Sequence, residues 1–175
     1  MKKFTSIIPT ALLAGAFLLT TISANADDGK RGLRFSAALS GAQEVTSPPG
    51  GVDTNATGSI RARFDEGMTE VVVRLRARKL SEPAVAAHFH CAPAGQNGPV
   101  VFGLVSPGQC EGLMEGRIHN CTLTNADFTG AICPVGAPVN NIASLAFAMR
   151  EGRIYVNVHT PANPGGEIRG QMLED

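Results

Sequence analysis

Several classes of protein are excluded by what this 175-residue chain lacks. It has no excess of either charge, because 15 lysines and arginines balance 15 aspartates and glutamates. Nucleic-acid binders usually carry a clustered basic excess, so no nucleic-acid partner is expected. The chain also lacks the low hydrophobicity and high net charge that keep a sequence disordered; 43% of its residues are hydrophobic. Past residue 26 no run of about 18 apolar residues occurs, which excludes a helical membrane span there. Two hydrolase signatures are missing, Gly-x-Ser-x-Gly and His-Glu-x-x-His. The Gly95-Gln96-Asn97-Gly98-Pro99 stretch has neither the lysine nor the strand–loop–helix setting of a phosphate loop, and reads as a tight turn. No internal repeat is present.

The first 26 residues have a different composition. Lys2 and Lys3 precede a mostly apolar stretch, Ile7 to Ile22, and Ala24-Asn25-Ala26 is a small-x-small cleavage site. Residues 1–26 therefore read as a secretory signal peptide, residues 27–32 as a mobile tail, and residues 33–175 as one domain. No cysteine stands at the junction for a lipid anchor. Cleavage would remove two lysines and no acid, leaving 13 basic against 15 acidic side chains. The short positive start suggests a periplasmic or secreted protein. Its four cysteines would then pair in an oxidising compartment.

The rest of the chain is dominated by a period of two. Phe35, Ala37 and Leu39 alternate with small residues. Ile60, Ala62 and Phe64 alternate with Ser59, Arg61 and Arg63, and Val71, Val73 and Leu75 with Val72, Arg74 and Arg76, around an Asp65-Glu66-Gly67 turn. The span Gly58 to Ala77 predicts a hairpin with an apolar face and an arginine-rich face. Further strands are predicted over Val85–Cys91, Pro99–Val105, Gly112–Ile118, Arg153–His159 and Glu167–Leu173. Ile142, Leu145, Ala146 and Met149 instead follow helical spacing, with Asn141 as N-cap and Gly152 beyond the end. This predicts one short helix near residues 141–150. Thr124 with Asp127 predicts a second capped turn. The fold class is all-β, an antiparallel Greek-key β-sandwich or barrel.

Histidines carry the main chemical signal. Side chains two apart in a strand share a face, so His88 and His90 point together while Ala87 and Phe89 point to the core. His159 leaves the non-core face of another strand, with Tyr155 and Asn157. If the strands are neighbours, three imidazoles converge, a donor set suited to copper or zinc. The alternative is structural, with each ring bonded to a backbone carbonyl or a carboxylate. His119 is read as a surface residue, with a fourth-ligand role as the alternative. Arg169 shares a face with Glu167 and Gln171. It either steers an anion near the site or, the reading preferred from the residues, pairs with Glu167 or Glu44. The cysteines allow three connectivities. Cys110–Cys121 with Cys91–Cys133 is one; the sequential pairing Cys91–Cys110 and Cys121–Cys133 is its rival.

Several motifs together resemble the CHRD domain, the module named after chordin. They are Phe35-Ser36-Ala37-Ala38-Leu39-Ser40-Gly41-Ala42-Gln43-Glu44-Val45, Thr57-Gly58, Ala87-His88-Phe89-His90 leading to Gly95-Gln96-Asn97-Gly98-Pro99, and Tyr155-Val156-Asn157-Val158-His159-Thr160 leading to Pro164-Gly165-Gly166-Glu167-Ile168-Arg169-Gly170-Gln171. The resemblance spans about residues 33–173 and departs at Cys91, where many relatives would carry a small residue such as glycine. It implies an extracytoplasmic β-domain. A more distant likeness is to the copper framework of copper/zinc superoxide dismutases. It would make His88, His90 and His159 copper ligands, with Asn157 and Arg169 around them and Arg169 guiding the anion. No histidine-rich zinc subsite accompanies it. The combined reading is a periplasmic or secreted binding module with a histidine copper site and an unidentified extracytoplasmic protein partner. The alternative is a copper-dependent redox enzyme.

Overall fold

The computed structural model describes residues 32–105, 120–128, 132–133 and 138–175. Among the described residues nine strands lie in one antiparallel sheet. They are β1 (Arg34–Ser40), β2 (Thr57–Phe64), β3 (Glu70–Arg78), β4 (Ala86–Cys91), β5 (Val100–Val105), β6 (Asn120–Thr124), β7 (Ile154–Thr160), β8 (Asn163–Gln171) and β9 (Leu173–Glu174). Their spatial order is β5-β4-β7-β8-β1-β2-β3-β6, and β9 pairs with β1. The two edge strands approach each other through an isolated Phe102–Phe128 bridge, whose rings meet edge to face at 5.6 Å. The sheet is thus nearly closed, and of the two forms expected the barrel is the one present. Chain neighbours such as β3 and β4 are not sheet neighbours, the interleaved connectivity of Greek-key folds.

Alternation explains why these segments pair as they do. Register sets which face each side chain takes, since a slip of one residue would turn every apolar side chain outward. Val71, Val73, Leu75 and Ala77 of β3 are buried, as are Ile60, Ala62 and Phe64 of β2. The residues between them are exposed or partly so. Asp65 closes the hairpin by accepting bonds from the backbone of Gly67, Thr69 and Glu70. The helix, α1 (Ile142–Arg150), has the N-cap read from sequence. The Asn141 side chain accepts from Ser144 N–H, and the Ser144 hydroxyl accepts from Asn141 N–H. Its apolar face, Ile142, Leu145 and Met149, is buried in the core. Thr124 and Asp127 form the second capped turn.

Cys91 points into the core and bonds Cys133, with Cα atoms 5.4 Å apart; the sequential pairing is not formed. Cys110 and His119 lie outside the described residues, as do the Gly112–Ile118 strand, the signal peptide and residues 27–31 of the tail. The last predicted strand divides into β8 and β9, and β8 begins earlier, at Asn163.

Glu167 and Arg169 leave the core side of β8 but do not reach solvent, being 0% and 2% exposed. The segments after β1, β3 and β4 cover them. Glu167 accepts from Thr54 Oγ1 (2.8 Å), Ser81 N (2.9 Å), Ser81 Oγ (2.8 Å) and Thr160 Oγ1 (2.8 Å). Burial works against its charge, but these four donors outweigh it and hold the carboxyl below the usual range. A folded-state value below the unfolded one gives stability above about pH 4.5 that is lost as acid protonates the group. Hydrogen bonds to a charged group contribute about 1.5–3 kcal/mol each when formed. Glu167→Gln is therefore expected to lower stability by about 2 kcal/mol at pH 7, with the loss shrinking below pH 4, as read by urea unfolding across pH. An unchanged midpoint at pH 7 would reject this role.

Candidate metal centre

Strands β4 and β7 are direct neighbours, with His88 opposite Asn157, His90 opposite Tyr155 and Ala86 opposite His159. This places His88 and His159 diagonally across the pair, close enough for side chains to touch. His88 Nδ1 lies 3.0 Å from His159 Nε2. The ligand atoms of His88, His90 and His159 all lie within 4.8 Å of one another. The convergence inferred from face and spacing is therefore present. Among the described residues no carboxylate or thiolate joins this cluster.

Backbone carbonyls orient two of the three rings. His90 Nδ1 bonds the Gly98 carbonyl at 2.9 Å, and His159 Nδ1 bonds the Pro164 carbonyl at 3.0 Å. A carbonyl only accepts, so each Nδ1 carries its proton and each Nε2 turns its lone pair to the cluster, where that of His159 accepts from His88 Nδ1. The structural reading of these histidines and the metal reading thus describe opposite nitrogens of the same rings. Nε2 of His90 is buried and meets no partner in hydrogen-bonding geometry among the described residues, although the Asn157 side chain is near enough to act on the ring.

The Gly98 carbonyl is placed by a close backbone approach. A Cβ on Gly98 would stand 1.9 Å from the Cys91 carbonyl oxygen, so only glycine lets this loop pack against the end of β4. The Asn97 side chain donates to the Val45 carbonyl, and Gly98 N–H donates to the Tyr155 hydroxyl. The loop read as a simple chain reversal therefore also orients a candidate ligand. Its position directly after His90 was the available signal; its contacts across the barrel were not readable.

Beneath the loop three planar groups stack. The Tyr155 ring lies against His90, with centroids 4.8 Å apart and planes 8° from parallel. The Arg169 guanidinium sits 3.4 Å from the Tyr155 centroid, a cation–π contact worth about 2 kcal/mol when desolvated. Arg169 donates to Asn97 Oδ1 at 2.9 Å and to the Gln96 carbonyl at 2.6 Å. Among the described residues it forms no ion pair with Glu167 or Glu44, contrary to the preferred sequence reading. Glu167 is taken by other donors, and the loop takes Arg169. Glu44 remains close enough for the Arg169 charge to act on it, yet burial dominates and lifts its carboxyl to about 7. A Cβ on Gly166, whose φ is +124°, would collide with Glu44 Oε1 at 2.4 Å.

Burial also disfavours charge on the imidazoles. His88 is pushed down to about 4, first by burial and then by the neighbouring His159 and His90. His90 and His159 are lowered too, chiefly by burial, with their carbonyl bonds opposing. At neutral pH the cluster offers uncharged imidazole, the form that binds metals.

The comparisons with known proteins agree with the motifs. The family model of the CHRD domain matches residues 35–172. The chain belongs to the CHRD-domain family. No curated protein and no solved structure matches it, so the likeness to copper/zinc superoxide dismutases gains no support.

In the metal-free protein, NMR of the histidine ring carbons should show His88 titrating near pH 4. Because the unfolded ring takes its proton near 6.5, stability falls as pH drops from about 6.5 toward 4, and His88→Ala should flatten that part of the profile. A His88 midpoint at 6.5 would contradict the burial argument.

Proposed function

We propose that this CHRD-domain chain is an exported, non-catalytic binding module that holds one copper ion on His88, His90 and His159. The observation that carries this reading is the orientation of the rings. Two neutral imidazoles are fixed through Nδ1 by backbone carbonyls, so their Nε2 lone pairs face the third ring, and one of those lone pairs is buried without a partner. Metal-binding histidines are typically held this way, since a bond at the far nitrogen fixes both tautomer and direction. Donors within 4.8 Å need only a small closing to reach one ion, with His88 and His159 already hydrogen-bonded to each other at 3.0 Å. That bond would give way to the metal.

Three neutral nitrogens suit copper or zinc, and not calcium or magnesium, which require oxygen ligands. When bound, copper would supply affinity for a further ligand and a one-electron couple. Tyr155 and Arg169 would position His90 from behind and shield it from water. The redox-enzyme alternative is not favoured. It needs an accessible cation near the metal, and Arg169 is 2% exposed with its donors committed to the loop. Export is supported by the extracellular type of the family. No helix among the described residues is long and apolar enough to cross a membrane.

Calorimetric titration of purified, metal-free protein with copper should show one site per chain. His88→Ala and His159→Ala should each weaken it at least about tenfold. Equal copper uptake by all three proteins would reject the site, and preferential zinc uptake would reject the choice of metal.

A further inference from the structure

A second surface, independent of the histidines, lies across the barrel on the outer faces of β1, β2 and β3. Arg34, Arg61, Arg63, Arg74, Arg76 and Arg78 all leave the core side of their strands and are exposed. Register orders them. Arg34 stands opposite Arg63, Arg61 opposite Arg74, Ser59 opposite Arg76 and Thr57 opposite Arg78. The six form a diagonal stripe from the start of β1 across β2 to the end of β3. Successive outward positions on a strand are about 6.8 Å apart and adjacent strands about 4.8 Å apart, so the stripe is about 20 Å long.

This arrangement has a cost. Like charges directly opposite in a sheet are destabilising, and here two pairs face each other, Arg34 with Arg63 and Arg61 with Arg74. None of the six forms an ion pair among the described residues. Glu70 begins β3 at one rim, and Asp175 lies beside Arg34 and Ser36; Asp175 accepts from the Ser36 hydroxyl. A chain of zero net charge has thus gathered over half of its 11 arginines on one face that no other described segment covers.

We propose that this stripe binds an acidic polysaccharide, an extended glycan bearing carboxylate or sulfate groups. Charge complementarity sets the sign of the partner. Every cation of the stripe is arginine, whose planar fork of donors matches carboxylate and sulfate oxygens two at a time. The straight row on a shallow sheet face suits an extended chain. Outward neighbours are small, namely Ser36, Ala38, Thr57, Ser59 and Val72. Among the described residues no aromatic ring stands there for a nucleic-acid base to stack on, and no large apolar side chain stands there to enter a membrane.

The test is binding of the full exported chain to immobilised dextran sulfate and polygalacturonate, with neutral dextran, single-stranded DNA and vesicles rich in anionic lipid as the other arms. Both acidic glycans should bind, losing affinity steeply with added salt as contacted charges release counterions, and neutral dextran should not. Arg61→Gln/Arg74→Gln/Arg76→Gln should weaken glycan binding at least tenfold, and Arg150→Gln, on α1, should not change it. Arg61→Glu separates binding from folding. Opposite Arg74 it should raise the melting temperature while lowering glycan affinity. Equal glycan binding by wild type and the triple variant would overturn the proposal. So would tighter binding to DNA or to vesicles than to either glycan at equal charge and salt.

Discussion

Arg169 is the largest fully buried side chain among the described residues, and the order of the outer layer depends on how its charge is accommodated. A guanidinium taken out of water needs its donors filled and its face covered. The Tyr155 ring covers one face, and Asn97 and the Gln96 carbonyl each accept from one terminal nitrogen. Those partners belong to a single loop, so burying one arginine fixes the whole turn after β4. The same turn brings the Gly98 carbonyl to His90, and His90 lies flat on the ring that Arg169 covers. Cation, aromatic ring and imidazole form one column. A change at its base would be felt at the nitrogen presented at its top.

Period two made much of this readable. Alternation separated the core face of each strand from the other face, and that sufficed to predict that His88, His90 and His159 leave the same side of the sheet. The pairing of β4 with β7 was the missing step, because strands far apart in sequence become neighbours only through the order of the whole sheet. The helix was legible for a local reason: Asn141 and Ser144 cap each other within one turn of chain. Less was readable wherever a loop crosses the barrel. Alternation marks a face as non-core but does not say what lies over it. Glu167 and Arg169 were therefore placed off the core face, while the loops that bury them were not readable. A polar layer packed under loops leaves no periodic trace, since each contact joins one irregular residue to another.

The two halves of the outer surface differ in how they treat charge. Over β4, β7 and β8 the loops limit water, leaving His88 and His159 partly buried, and the ionisable groups there are either held by several partners, as Glu167 is, or pushed toward their neutral form, as Glu44 and the histidines are. Over β1, β2 and β3 no loop intervenes among the described residues, and full charges stand in water where screening makes them tolerable. The seam between the halves is narrow, a single Ser40–Arg169 pair joining β1 to β8. One barrel thus presents a dry face of neutral donors and a wet face of fixed cations.

That division bears on how composition relates to function. A net charge of zero argues against a uniformly basic protein, but it is a sum over the whole chain, whereas a partner meets only one face. Arginines at every second position of two strands must share a side once those strands form a sheet, whatever acids lie elsewhere. Opposed arginine pairs do not help the fold, because they repel across the strands. Nothing in the core requires them either, since Ser36, Ser59 and Thr57 occupy equivalent outward positions. Their placement therefore calls for an interaction outside the chain. By the same reasoning the unpartnered Nε2 of His90 on the dry face does not help the fold, since a buried lone pair without a donor is unfavourable. In both places the structure departs from what stability alone would select, and both departures are the features that a sequence-level count of charges and histidines leaves invisible.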